Sequence, residues 1–186
     1  MKAEDIVSQF VRPSWDDWFM GLAVLISSRS LDPATKHGCV VVSHDRSILS
    51  VGYNSPPRGC NDNAIPITRP EKYLYFEHAE TNAVLNAARH GIALEGADFY
   101  VTGFPCEGCV RKIVNCGGKR VIWGPVASAC ISDESLQVIL KIKGDLEFVQ
   151  FDQTTAVISL LQNAALIFDS KTKDRSIFLA NVNKYF

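Results

Sequence analysis

Three residues with the chemistry of zinc ligands stand in two short clusters, His78-Ala79-Glu80 and Pro105-Cys106-Glu107-Gly108-Cys109. A tetrahedral zinc held by one imidazole and two thiolates keeps its fourth position open for water, which is what separates catalytic sites from closed structural ones. Glu80, two residues past His78, offers a carboxylate to move protons beside that water. Pro105 suits the first position of a helix, where its missing N–H would be an orphan anyway and its φ is already helical. A helix starting there puts Cys106 and Cys109 on one face, with the positive end of its dipole favouring the thiolates. His78 and Glu80 are only two apart and share no helical face. They therefore belong in an opening turn, ahead of the apolar Ala83, Val84, Ala87 and Ala88. A closed zinc site needs a fourth protein ligand, and Glu77, Cys116 or Cys130 is available for it. A C-x-x-C pair alone also fits redox chemistry, but both clusters together, each beside a helix start, point to catalytic zinc.

The elements that must position these groups read as periodicities. Ser14 and Asp17 form a capping pattern, after which Trp15, Trp18, Phe19, Leu22, Ala23, Leu25 and Ile26 recur at helical spacing and predict a buried stripe. Asp32-Pro33 ends that helix. Strands are predicted at Gly38 to Val42 and Ile48 to Gly52, around a polar turn at Ser43 to Arg46. The Pro- and Gly-rich stretch from Tyr53 to Tyr73 is too long for an ordinary connector and reads as a functional loop leading into His78. Further strands are expected at Phe99 to Thr102, Val121 to Trp123 and Leu146 to Phe151, with a helix over Asp133 to Lys143. Gly91 and Gly96 bracket one turn, and Gly117-Gly118 stops the cysteine helix. This order calls for a layered α/β domain on one five-stranded sheet, its last two strands parallel because a helix joins them. Residues 1–151 form that domain. Residues 152–186 form a C-terminal helical extension, with a helix at Thr155 to Phe168, packed on the same domain or on a neighbouring subunit.

Composition narrows the class. A chain of 186 residues with 47% hydrophobic and 21% charged residues buries a core of ordinary size. A formal net charge of -1 argues against a general polyanion binder. The N-terminus lacks a signal peptide's basic start and apolar core, and no apolar run reaches bilayer length, so a cytoplasmic protein is expected. In that compartment Cys39, Cys60, Cys116 and Cys130 are expected as free thiols, Cys39 packed in a strand.

The chain resembles the cytidine and deoxycytidylate deaminase superfamily, and within it the deoxycytidylate (dCMP) branch. The stretches that carry the resemblance are Asp32-Pro33, Gly38 with its strand, Gly52-Tyr53-Asn54, Pro57, Gly59-Cys60, Asp62, Tyr75 ahead of His78-Ala79-Glu80-Thr81-Asn82-Ala83, and Tyr100-Val101-Thr102 before Phe104-Pro105-Cys106. The resemblance implies a three-layer cytidine-deaminase-like fold, a mixed sheet with helices on both faces. It also implies one zinc on His78, Cys106 and Cys109, with Glu80 shuttling protons as water replaces the amino group at C4 of cytosine, dCMP giving dUMP and ammonia. It sets Asn54 near the sugar and Ala79, Tyr75, Gly103 and Phe104 around the substrate. It further implies a homo-oligomer, often hexameric, and a dCTP or dTTP effector at Gly52 to Asp62, including Arg58, Gly59 and Asp62.

Four departures bear on that picture. Ser55 stands where a glycine is usual in the effector segment, and Glu77 where a cysteine is common. Gly103 replaces a larger residue and opens space for a substituent at C5 of cytosine, or simply serves a tight turn. Trp123-Gly124-Pro125-Val126-Ala127-Ser128 lacks the tyrosine-containing run that helps hold a 5'-phosphate, leaving Arg58, Arg69, Lys72 and Lys36 as basic candidates. Two alternatives stay open on sequence alone: an editing deaminase acting on a base in RNA or single-stranded DNA, and a non-catalytic zinc-bearing regulatory protein. The near-neutral charge disfavours the first and Glu80 the second.

Overall fold

The computed structural model describes residues 12–124 and 131–151, of which 19–124 and 131–151 belong to one compact unit. Helix α1 (Trp15–Ser27) precedes strands β1 (Gly38–Val42) and β2 (Ile48–Tyr53), and two short 3-10 turns (Asp62–Ala64 and Glu71–Leu74) lie in the long loop. Three helix-strand units follow: α2 (Ala79–Arg89) with β3 (Asp98–Val101), α3 (Glu107–Asn115) with β4 (Arg120–Trp123), and α4 (Asp133–Ile142) with β5 (Glu147–Gln150). The sheet order is β2-β1-β3-β4-β5. β1 pairs antiparallel with both neighbours, while β3, β4 and β5 run parallel, as crossover helices require. The expected helix at Thr155 to Phe168 and the rest of the 152–186 extension lie outside the described residues, as does Cys130.

The period of two along each strand sorts the core into two layers. Cys39, Val41, Phe99, Val101 and Val121 pack with Ala83 and Ala87 of α2, Val110 and Ile113 of α3, and Ile139 of α4. The alternate residues face α1, where the Phe19 and Tyr100 rings lie 5.2 Å apart. All five residues of β1 are buried, the pattern of a central strand covered on both faces. Each such Val stabilises by about 1.5–3 kcal/mol relative to exposure, so β1 is a rigid base for the loops at its ends. At Gly52 of β2 a Cβ would overlap the Ala79 carbonyl oxygen and the Ala83 nitrogen. A side chain there would push the N-terminus of α2 off the sheet.

Two expectations need correction. α3 begins at Glu107 with Cys106 as its N-cap, so Pro105 precedes the cap and does not occupy the first helical turn. Proline is tolerated at either place because neither N–H has an intrahelical partner. In α1 the buried residues are Phe19, Met20, Ala23 and Ser27, while Trp15 and Trp18 stay 40% and 38% exposed and Leu25 is also exposed. The stripe is rotated relative to the apolar pattern. Gly38 explains why α1 docks on that side, since a Cβ there would overlap the Ala23 carbonyl oxygen. Ser14 does cap α1: its Oγ accepts the Asp17 N–H and the Asp17 carboxylate accepts the Ser14 N–H.

Candidate active site

Two helix N-termini converge on the metal-type donors. His78 caps α2 and Cys106 caps α3, both with extended backbone (φ -73°, ψ 157° and φ -73°, ψ 166°), and neither side chain caps its own helix. They are thereby free to turn toward each other. Cys109, in the first turn of α3, completes the set. The Cys106 and Cys109 sulfurs each lie 3.4 Å from His78 Nδ1. An N–metal–S angle of a tetrahedral zinc, with bonds of about 2.0 and 2.3 Å, sets N and S about 3.5 Å apart. The donor set therefore fits zinc in spacing, and two thiolates match the charge of Zn²⁺. Among the described residues these three are the group that can hold a metal. Cys116 sits at the far end of α3, its thiol donating to the Ile113 carbonyl, and the Glu77 backbone pairs with Ser55. No fourth protein ligand closes the site among the described residues.

The donors polarise one another. The hydrogen bond with Cys106 raises His78 to about 8. Cys106 is held down at about 3 by its hydrogen bond with Cys109 and, beyond that, by His78, whereas Cys109 is pushed up by the same hydrogen bond and by burial. Behind Cys109 the buried Thr81 hydroxyl lies 3.8 Å from its sulfur and orients that ligand. Glu80, 5% exposed, lies in the first turn of α2, and its burial pushes the carboxyl upward. That favours a group that holds and releases a proton rather than a fixed anion.

A cavity of about 180 Å³ opens from these groups, lined by His78, Ala79, Glu80 and Cys106 at one end. Gly103 and Phe104 form part of its wall. Phe104 is fixed by Trp123 and Phe148, with ring centroids 5.2 and 5.4 Å away. The rest of its lining includes Asp32, Thr35, His37, Asn54, Arg69, Lys72, Tyr73 and Phe76. Of the residues expected around the substrate, Asn54, Ala79, Gly103 and Phe104 line this cavity, whereas Tyr75 does not. Asn54 Oδ1 accepts the His37 N–H at 2.8 Å, and its Nδ2 donates to the Thr35 carbonyl at 3.0 Å and the Asp32 carboxylate at 3.3 Å.

The basic candidates separate clearly. Lys72, 3% exposed, is ion-paired with buried Asp32. Burial pushes Asp32 up, but Lys72 and the Ala34 and Thr35 amides outweigh it, and its carboxyl ends below the ordinary range. Arg69 is exposed at the rim, 3.4 Å from Thr35 Oγ1, with its guanidinium 5.8 Å from the Tyr73 ring centroid. Lys36 donates to the Ser30 carbonyl. Arg58 lies elsewhere, lining a smaller cavity with Gly52, Tyr53, Ser55, Asn82 and Asn86, and donates to Asn86 Oδ1 at 2.8 Å. Gly59 (φ +90°) and Asp62 lie in that loop and line neither cavity.

Thr81, His37, Phe76, Tyr73 and Asp32 were not assigned to the site from sequence, and Lys72 was assigned as a phosphate candidate rather than as the partner of Asp32. Thr81 had a usable signal, its place one residue after Glu80 in the helical turn facing Cys109. His37 had none, because a single histidine before a strand carries no spacing.

Residues 13–125 match the model of the cytidine and deoxycytidylate deaminase zinc-binding region. The chain is 33% identical over 144 residues to a probable deoxycytidylate deaminase of Drosophila melanogaster, covering 66% of this chain and 70% of that one. It is 36% identical over 115 residues to the deoxycytidylate deaminase of Homo sapiens, covering 59% of this chain and 64% of the human protein, less than two thirds of that relative's length. Among solved structures, the dCMP deaminase of cyanophage S-TIM5 in apo form is similar at a TM-score of 0.58 and 27% identity, covering 75% of this chain and 100% of that one. No helix of the described residues is long and apolar enough to cross a membrane.

Proposed function

We propose, from the premise that this chain belongs to the cytidine and deoxycytidylate deaminase family, that it hydrolyses the amino group from a free cytosine nucleotide, dCMP giving dUMP and ammonia. The observation that carries this reading is the meeting of His78, Cys106 and Cys109 in one donor set, with His78, Cys106 and the buried Glu80 lining one cavity. His78, Cys106 and Cys109 would hold a zinc ion, which would supply an activated water at neutral pH. Glu80 takes a proton from the attacking water, hands it to N3 of the ring, and assists departure of ammonia from C4. Its burial excludes bulk water from that transfer. The α2 N-terminus, where Ala79 lines the cavity, holds the base beside Glu80.

At about 180 Å³ the cavity is smaller than the about 300–1,000 Å³ typical of pockets that enclose a whole ligand. Part of a nucleotide therefore stays at the mouth. Arg69 lies there, and Lys72 is occupied by Asp32, so Arg69 is the side chain we assign to the 5'-phosphate. The reading extends to a homo-oligomer and to dCTP or dTTP acting at Gly52 to Asp62, where the smaller cavity lies; size measurement with and without each triphosphate tests both. The primary experiment is ammonia release from cytidine, deoxycytidine, CMP, dCMP, dCTP and the 5-methyl forms, with zinc content measured on the same sample. Preferential turnover of dCMP is expected. No turnover of any monomer by zinc-loaded protein, with salt-dependent binding of oligonucleotides, would transfer the assignment to a polymeric substrate.

A further inference from the structure

His37 lines the cavity but has no part in the zinc chemistry. Its Nδ1 lies 3.3 Å from Thr102 Oγ1. The same oxygen accepts the Gly38 N–H at 3.1 Å, so the Thr102 hydroxyl hydrogen is available for a different acceptor. Thr102 is fully buried, and among its described contacts the acceptor is His37 Nδ1. Burial, followed by the charges of His78 and Lys72, lowers the basicity of His37 and outweighs Asp32, so the ring is neutral. A neutral imidazole that accepts at Nδ1 carries its proton on Nε2. That N–H has no partner among the described residues, and the half-buried ring lines the cavity.

His37 stands between the metal-type donors and the Asp32–Lys72 pair, since His78 on one side and Asp32 and Lys72 on the other all act on its charge. Thr102, which fixes its ring, leads through Gly103 and Phe104 to the ligand Cys106, while Thr35, two residues before it, meets Arg69 at the rim. A nucleotide with its base at Glu80 and its phosphate at Arg69 presents its sugar to this middle region. Asn54 cannot supply a donor there. Both Nδ2 hydrogens are committed to Asp32 and Thr35, and one Oδ1 lone pair to the His37 amide. A sugar hydroxyl can accept from His37 Nε2–H while donating to the remaining Asn54 lone pair; a ring oxygen, having no hydrogen, can do only the first.

We propose that His37 is a substrate-contacting specificity residue, whose Nε2–H donates to the free 3'-hydroxyl oxygen of the deoxynucleotide, with Asn54 and Thr102 as its positioning residues. This inference rests on the reading of the chain as a deoxycytidylate-type deaminase.

The test compares dCMP with 2',3'-dideoxycytidine monophosphate on zinc-loaded parent, His37→Asn and His37→Gln proteins, with melting temperatures alongside. Asn places its amide near Nδ1 and loses the donor at Nε2; Gln reaches the Nε2 position and keeps one. For a neutral hydrogen bond, kcat/KM of His37→Asn on dCMP falls about three- to tenfold, carried by KM. The parent prefers dCMP over the dideoxy analogue by a similar factor, His37→Asn loses that preference, and His37→Gln regains most of it. An unchanged preference in His37→Asn, or equal loss in both variants tracking a drop in melting temperature, overturns the role of His37 alone. A parent without activity on either nucleotide overturns the functional reading and this inference with it.

Discussion

At the metal end of the cavity, His78, Glu80, Cys106 and Cys109 come from two helix starts, and each cluster spans no more than four residues of sequence. Beyond that end, Asp32, Thr35, His37, Asn54, Arg69 and Lys72 come from three separate segments, tied by a buried ion pair and the hydrogen bonds of one asparagine. The first end is built by local geometry, because a helix terminus by itself orients an N-cap side chain and a group one turn later. The second is built by long-range partnership. The metal-type donors are thus held by local helix geometry, while the rest of the cavity lining is held by contacts between distant segments.

The largest expected effect lies at the metal end. Glu80→Gln keeps the size and one hydrogen-bonding oxygen of the side chain but cannot carry the proton. Turnover of dCMP should fall by about 10² to 10⁴-fold, with zinc content and melting temperature near those of the parent. Loss of zinc along with rate would make Glu80 a support of the metal site rather than the proton carrier.

The same contrast explains what could be read from the chain. His78, Cys106 and Cys109 were legible because ligand types recur at spacings that helices impose, and the parallel pairing of β4 with β5 followed from the helix that joins them. The start of α3 was misplaced by about one turn's fraction because Pro105 is compatible with either side of the cap. The rotation of the α1 stripe was missed because an apolar pattern of Trp15, Trp18 and Leu25 does not reveal which residues approach Gly38 closely. Lys72 read as a phosphate candidate because a lysine in a polar loop is ordinarily solvated. Only the fold brings it to Asp32, forty positions earlier in the chain.

The second effect tests that distant partnership. Lys72→Met leaves the Asp32 carboxylate buried without its cation, and breaking such a pair typically costs about 3–5 kcal/mol. Chemical denaturation should show a loss of that size, and Lys72→Met combined with Asp32→Asn should recover part of it. A loss below about 1 kcal/mol would mean that water or the Ala34 and Thr35 amides already satisfy Asp32.

The pair also has a pH signature. A carboxyl held below its unfolded value stabilises the fold above that value, and the contribution is lost as pH falls through the folded one. Asp32 therefore contributes fully above about pH 4 and loses its share on further acidification. In Lys72→Met both lowering contributions of Lys72 are gone while burial and the Ala34 and Thr35 amides remain, so the carboxyl titrates higher than in the parent and this protein should gain stability relative to the parent as pH drops from 6 through 4. Parallel stability profiles for the two proteins over that range would show that Lys72 does not control Asp32.

The smallest effects distinguish the two exposed arginines. Arg69 reaches the rim of the cavity beside Thr35, and Arg58 reaches the separate cavity beside Asn86. Both are solvent-exposed, so either truncation should change stability by no more than about 0.5 kcal/mol. Function should separate them. A hydrogen bond to a phosphate oxygen at a wet rim lies at the low end of the range for charged partners, about 1.5 kcal/mol. Arg69→Ala should accordingly raise KM for dCMP about tenfold while leaving turnover of deoxycytidine, which has no phosphate, unaltered. Arg58→Ala should leave both substrates unaltered, any response being confined to added dCTP or dTTP. If Arg58→Ala weakens dCMP and Arg69→Ala does not, the phosphate lies over the β2–α2 side, and the cavity's far end is a wall rather than a subsite.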